Sequence, residues 1–441
     1  MSRRYAPLVA VVLVALLLSS APGGASDVVV GGAGADGVRP VPATHDVPPP
    51  NASESSGLAA RSAEPERVDG GVRVGVIGSS FDRSHAYFDG RVDAHRRVGD
   101  RLLAVEGGGE HDAAVAEVIA DRSDSARLYL ASVGHRPTPG EYDRAVEWLL
   151  DNDVSVIVDA GSYFPSTARG MARIATAAER AADSGAVFVT SAGNYAERHW
   201  RGTPAGAGWV SFDAAERTDA GGANGSESGV DTGAQGNRLG DGSTDGRVTL
   251  RLYWEGDADY DLYLYRDLPG RSDPVVGKST RESGNAEAID TTLPAGDYYV
   301  AVYARDPGRG AVDLFSASHT LEYTGTEGSA VAPATAEGVI AVGAVGADGR
   351  LEPYSSASDV NAVGGVSTDA AGRLSGTSAA APLVAGTVIR MAESDAHGDL
   401  TSAEAERILR ETADGASRRV DPRAAIASVG NVTTGGGRSG R

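Results

Sequence analysis

From Val72 onward, short runs of apolar, β-branched residues alternate with stretches of helical period, and this alternation admits few architectures. Residues 72–77 (VRVGVI), 127–132 (RLYLAS), 154–158 (VSVIV) and 186–191 (AVFVTS) read as buried strands. Between them, residues 113–121 place Val115, Val118 and Ile119 on one helical face. Thr138-Pro139-Gly140-Glu141 fits a capping box with Pro in the first turn, followed by Tyr142, Ala145, Val146, Leu149 and Leu150 at helical spacing. A further helix over roughly 168–184 stops before Gly185. Strands alternating with helices predict an α/β fold, a parallel sheet with helices on both faces. Functional groups in such sheets gather at the C-terminal ends of the strands. Those ends are Gly78-Ser79-Ser80, Asp159-Ala160-Gly161 and Ala192-Gly193-Asn194.

The alternation stops near residue 200. Residues 219–246 are rich in Gly, Asp, Asn and Ser and read as a loop. Residues 247–254, 261–266 and 297–304 then alternate apolar with polar and are rich in tyrosine, with Pro294-Ala295-Gly296 as a turn before the last. This pattern predicts an antiparallel β-sandwich of about 80–100 residues. The buried-strand pattern resumes at 338–345 (GVIAVGAV). Residues 200–325 are therefore an insertion after the fourth strand, dividing the α/β domain into 71–199 and 326–430.

Arg3 and Arg4, the apolar run 8–18 and the small residues around Ala21 and Ala25 have the order of a secretory signal over 1–25, with a twin-arginine variant as an option. The apolar run is too short to span a bilayer comfortably, and no other stretch is long enough. The mature chain is expected to be secreted, soluble and monomeric. Residues 26–70, with Pro48-Pro49-Pro50, read as a disordered linker, and 431–441 as a flexible tail. Sequons at Asn51, Asn224 and Asn431 fall in predicted loops.

Sixty acidic and forty basic residues give a net charge of −20. A chain this negative is repelled by phosphate, which excludes a basic nucleic-acid binder. Lys278 is its one lysine, and this acid-rich, lysine-poor balance reads as halophilic, since salt screens the self-repulsion. The absence of cysteine excludes disulfides, thiolate zinc sites and a cysteine nucleophile.

The sharpest motif is GTSAAAPLVAG at 376–386. Gly376 and Thr377 make a turn, and Ser378 opens an Ala-rich helix, where backbone N–H groups and the helix dipole stabilise a developing oxyanion. This segment resembles the nucleophile motif G-T-S-x-A-x-P-x-V-A-G of the subtilisin-like serine peptidases at every fixed position. SAGN at 191–194 resembles the family's oxyanion segment, which implies Asn194 as side-chain donor beside the Ser378 N–H. HDAAVAEVIA at 111–120 is similar to the histidine motif H-G-T-H-V-A-G in His111, Val115 and Ala116, and departs at Asp112, Ala114 and Glu117. The resemblance implies that His111 is the general base. VGVIGSSFDRSH at 74–85 resembles V-A-V-I-D-x-G-I-D-x-x-H, with Ile77, Asp82 and His85 in register. That register puts Gly78 where the family carries its catalytic Asp. The resemblance covers roughly 72–199 and 326–415, and residues 26–70 look too short and too polar for the folded inhibitory propeptide usual in the family.

A substitute carboxylate has four candidates. Asp159 is preferred, because it ends a strand beside the cleft. Glu110 is second, since the related sedolisins run this fold with a serine and carboxylates, and Asp112 and Asp82 complete the set. The resemblance implies a serine endopeptidase that hydrolyses polypeptide substrates by acyl transfer. The alternative is a silent relative acting as an extracellular binding module. No cofactor is identified for certain, and Asp257, Asp259 and Asp261, at every second position, form a candidate Ca²⁺ site.

Overall fold

The computed structural model describes residues 71–82, 88–99, 109–213, 235–395 and 400–432. The export signal, the whole linker 26–70, His85 and the sequons at Asn51 and Asn224 lie outside them.

The central element is a seven-stranded parallel sheet. Its strands include β1 (Arg73–Gly78), β2 (Val92–Arg97), β3 (Arg127–Ser132), β4 (Val156–Asp159) and β5 (Val187–Ser191). Two later strands, Ile340–Val345 and Val360–Val363, extend it beyond β5. Across the sheet the order is Val360–Val363, Ile340–Val345, β5, β4, β1, β3, β2. Successive side chains leave a strand on opposite faces. Val74 and Val76 of β1 thus enter a core with α1 (Glu110–Ala120) and α4 (Thr377–Ser394), while Ile77 enters a second core with α2 (Pro139–Asp151) and α3 (Ala168–Asp183). Burying a side chain of this size contributes roughly 1.5–3 kcal/mol. Helices α5 (Ser402–Glu411) and α6 (Pro422–Val432) close the first core.

The local signals hold where they are strong. Thr138 accepts from the Glu141 N–H while Glu141 accepts from the Thr138 N–H, closing the predicted capping box. Strand β2 is absent from the sequence reading. Its sequence, VDAHRR, is charged and largely exposed because it is an edge strand paired only with β3. The insertion therefore follows the fifth strand rather than the fourth.

The insertion forms two antiparallel sheets around a separate core that includes Trp200, Leu250, Leu262 and Val302. One sheet orders Val275–Ser279, Asp259–Arg266, Tyr298–Asp306 and Gly208–Trp209, with Asn237–Arg238 also on Tyr298–Asp306. The other orders Ala286–Gly296, Thr244–Trp254, Val312–Ser316 and His199–Gly202. Two sequence expectations fail here. Pro294-Ala295-Gly296 lies within the edge strand Ala286–Gly296, where the register shifts between Leu293 and Gly296, and an edge tolerates a missing N–H. The loop expected to 246 ends earlier, because Asn237–Arg238 and Thr244–Trp254 already pair. Asn431 falls in the last turn of α6, not in a loop.

Candidate active site

Three strand ends and two helix starts meet at the C-terminal edge of the sheet. Helix α4 begins after Gly376, whose φ of +84° is left-handed backbone. A Cβ there would lie 2.9 Å from Asn194 Nδ2, so only glycine permits the approach of Asn194. The Asn194 Oδ1 accepts from the Thr377 N–H and the Thr377 hydroxyl, both at 3.1 Å. With its oxygen held, Asn194 presents its Nδ2 amide beside the start of α4. Ser378 sits at the second position of α4, so its N–H is one of the four that a helix start leaves without an intrahelical acceptor. These are the two donors the sequence assigned to an oxyanion.

His111 is on the first turn of α1, with its side chain 48% exposed. Its Nδ1 meets Asp112 Oδ1 at 2.9 Å. Asp112 is itself buried, and its Oδ2 accepts from the Ser79 N–H (2.6 Å), the Ser79 hydroxyl (2.6 Å) and the Ser80 N–H (3.1 Å). Burial alone would raise the Asp112 pKa. The hydrogen bond and charge of His111, with the Ser79 and Ser80 donors, outweigh it and hold the carboxyl below its usual range. The acid is thus ionised, anchored to the end of β1 and paired with His111. The first turn of α1 adds the favourable end of its dipole.

Asp159, the preferred substitute, does not pair with His111. It is fully buried and faces the opposite core, accepting from the Tyr142 hydroxyl (2.9 Å), the Gly161 N–H (2.8 Å) and the Tyr163 hydroxyl (3.3 Å). Burial pushes its pKa up to about 6 against the pull of those donors, and the charge of Asp112 adds to the rise. Burial and the Asp159 charge keep both phenols protonated well above their usual range, so they remain donors. Asp159 shapes the 159–163 turn instead, helped by the Thr190 hydroxyl on its carbonyl at 2.8 Å. Glu110 and Asp82 are exposed.

The Ser378 hydroxyl donates to the Ala160 carbonyl at 3.1 Å and does not hydrogen-bond to His111. Glu117, another departure in the histidine motif, is also accounted for. Its buried carboxylate accepts from the Asp369 and Ala370 N–H groups at 2.6 and 2.9 Å, fastening α1 to the segment before α4.

The candidate Ca²⁺ site does not form. Asp257 precedes the strand, and Asp261 is buried against the Arg305 guanidinium at 2.6 Å and the Tyr263 hydroxyl at 3.1 Å. Arg305 supplies the positive charge there. Among the described residues no cluster of His, Asp and Glu has the arrangement of a metal site.

A hydroxyl at a helix start, an imidazole–carboxylate pair and a side-chain amide lie at one sheet edge, the groups a serine-peptidase site requires. Residues 308–431 match the model of the subtilase family (peptidase S8), a segment that holds Ser378 but not Gly78, His111 or Asn194. Among solved structures, the CspB protease of Clostridium perfringens shares the fold, with a TM-score of 0.56, 16% identity, and coverage of 82% of this chain and 95% of that one. The self-cleaved protease domain of PatA (TM-score 0.44, 13% identity, 82% and 97% covered) and a cold-adapted subtilisin-like serine proteinase (0.41, 14%, 82% and 89%) are more distant. No curated protein matches in sequence. The family match thus covers the C-terminal part of the chain, and the likeness to the solved structures is one of fold, the subtilisin-like α/β arrangement.

Proposed function

We propose that this chain is a serine endopeptidase whose orienting acid sits on α1. Ser378 is the nucleophile, His111 the general base, and Asn194 with the Ser378 N–H the oxyanion donors. Asp112 is the positioning residue for His111. The observation that carries the reading is the 2.9 Å contact of Asp112 with His111 Nδ1. A carboxylate on Nδ1 fixes the tautomer that leaves Nε2 free to take a proton. The hydroxyl attacks the scissile carbonyl, its proton passes to Nε2, and the imidazolium is stabilised by Asp112. Nε2 then protonates the leaving amine, and water hydrolyses the acyl-enzyme by the same route.

The succession of charged, apolar and small residues over 3–25 supports export, and the −20 charge with a single lysine supports work in salt. N-terminal sequencing of the protein recovered from its host tests the export.

A second reading, a silent peptide-binding relative, is favoured by one contact, the Ser378 hydroxyl bound to Ala160 O at 3.1 Å rather than to His111. Rotation about the Ser378 Cα–Cβ bond redirects that hydroxyl, so the contact describes a resting state under the peptidase reading. A serine-directed fluorophosphonate applied to the folded protein in molar salt separates the two. The peptidase reading expects labelling that is lost in Ser378→Ala; folded protein that takes no label supports the silent reading.

A further inference from the structure

We propose that Tyr195, backed by Phe164, closes the space beside Ser378, so that the residue before the cleaved bond must be glycine or alanine. The inference rests on the peptidase reading and names its substrate class.

An attacked carbonyl has its carbon at Ser378 Oγ and its oxygen at Asn194 Nδ2. The residue bearing that carbonyl then lies between two segments. One runs from Ala160, whose carbonyl touches Ser378, to Phe164, and the other from Ser191 through Asn194 to Tyr195. The two are fastened together, with the Ser191 hydroxyl donating to Gly161 O at 3.3 Å. The Tyr195 ring occupies the space over Gly193. A Cβ on Gly193 would meet the Tyr195 ring at 2.7 and 2.8 Å and Ser162 Oγ at 3.4 Å. Tyr195 and Ser162, one from each segment, thus converge on the space over Gly193. Its ring stands edge-on to Phe164 with centroids 4.9 Å apart.

These rings are fixed from behind by the inserted sandwich. Phe315 packs on Phe164 at 5.7 Å and on His199 at 4.5 Å. Arg251 Nε donates to Phe164 O at 3.0 Å, and the Tyr253 hydroxyl to Pro165 O at 2.6 Å. The Tyr195 N–H donates to Ser356 Oγ at 3.1 Å. Swinging Tyr195 or Phe164 aside breaks contacts in both halves of the molecule, so a bulky side chain cannot displace them cheaply. The insertion thereby acts on specificity by holding one wall of the cleft.

The test measures binding by calorimetry, using the full chain with Ser378→Ala in molar salt. The probes are product-like peptides, acetyl-Ala-Ala-Pro-Xaa with a free carboxylate and Xaa as Gly, Ala or Phe. The expected result is that Ala binds about tenfold or more tightly than Phe. Adding Tyr195→Ala reverses the preference, and Tyr195→Phe, which keeps the ring, preserves it. Equal binding of Ala and Phe, no binding by any of the three peptides, or an unmoved ratio in a folded Tyr195→Ala variant overturns the inference. Fluorophosphonate labelling of Ser378 reads the peptidase function separately. Labelling with equal Ala and Phe binding sinks this inference alone, and absent labelling sinks the function while the pocket is still measured.

Discussion

The Asp112 carboxylate stands where a side chain on Gly78 would have to go. A Cβ at Gly78 would lie 2.7 Å from Asp112 Cγ, 2.9 Å from Asp112 Cβ and 2.9 Å from Phe81 Cζ. The space at the end of β1 is bounded by Phe81, and Asp112 fills it from α1. The acid missing from the first motif and the acid that interrupts the histidine motif are one feature, an exchange of carboxylate for hydrogen between facing positions.

Asp112→Asn keeps the shape but loses the charge and its preference for one tautomer. Turnover of a casein-type substrate is expected to fall by about three to four orders of magnitude. Glu110→Gln, at an exposed position, is expected to leave turnover near wild type. The reverse ranking would assign the orienting role to Glu110.

The Asn194 amide is aimed by Thr377. Asn194→Ala is expected to lower kcat by about 10²–10³ with little change in KM, since the donor acts on the transition state. Thr377→Val removes the hydroxyl that donates to Asn194 Oδ1 at 3.1 Å but keeps the N–H contact, so its loss should be smaller. Steady-state kinetics on one peptide substrate ranks the two. An equal or larger effect of Thr377→Val would show that Asn194 is not the donor.

Asp159 makes the fold sensitive to pH. Its pKa rises from 3.8 to about 6 on folding, so the folded state holds the proton more tightly. Its contribution is therefore fully present below about pH 4 and is lost as pH rises through 6, a change on the order of 3 kcal/mol. Asp112 has the opposite sign, since its folded pKa is lowered; what it adds is present at neutral pH and lost in acid. Urea unfolding between pH 4 and 7 should show Asp159→Asn with a flatter fall in stability over that window than wild type. Parallel curves for the two proteins would contradict the assignment.

A charge of −20 repels itself unless screened. The unfolding temperature should rise steeply between low and molar KCl, well beyond any change in an uncharged control protein. A flat dependence would remove the halophilic reading.

What the sequence disclosed follows from how local each constraint is. Ser378 was legible because a serine opening a tightly packed helix needs glycine before it and small residues after it, all within eleven positions. The parallel sheet was legible from β1, β3, β4 and β5, each buried and nearly all apolar. Strand β2 was hidden because an edge needs charge and so reads as a loop. Asp159 misled for a geometric reason: it ends a strand at the active edge, yet its side chain leaves the sheet toward Tyr142 and Tyr163. The pairing of Asp112 with Gly78 depends on the angle at which α1 lands on β1, which no local pattern encodes. A signal did exist, for the two motifs depart from the family in opposite senses, one losing an acid and the other gaining one. Tyr195 was missed because it follows Asn194 as an ordinary loop residue, and its role emerges only from what lies across from it.

The central claim is that the orienting carboxylate has moved from position 78 to position 112. A two-site cycle on kcat, with Gly78→Asp, Asp112→Gly and the double variant, tests it directly. Gly78→Asp alone should be crippled by the clash with Asp112, and Asp112→Gly alone by the loss of the acid, each by about three orders of magnitude or more. The double variant, which puts the carboxylate on β1 and removes the Asp112 part of the clash, should recover well above either single variant once the Phe81 ring shifts aside. A double variant as inactive as Asp112→Gly, or an Asp112→Gly variant with undiminished kcat, would contradict the account.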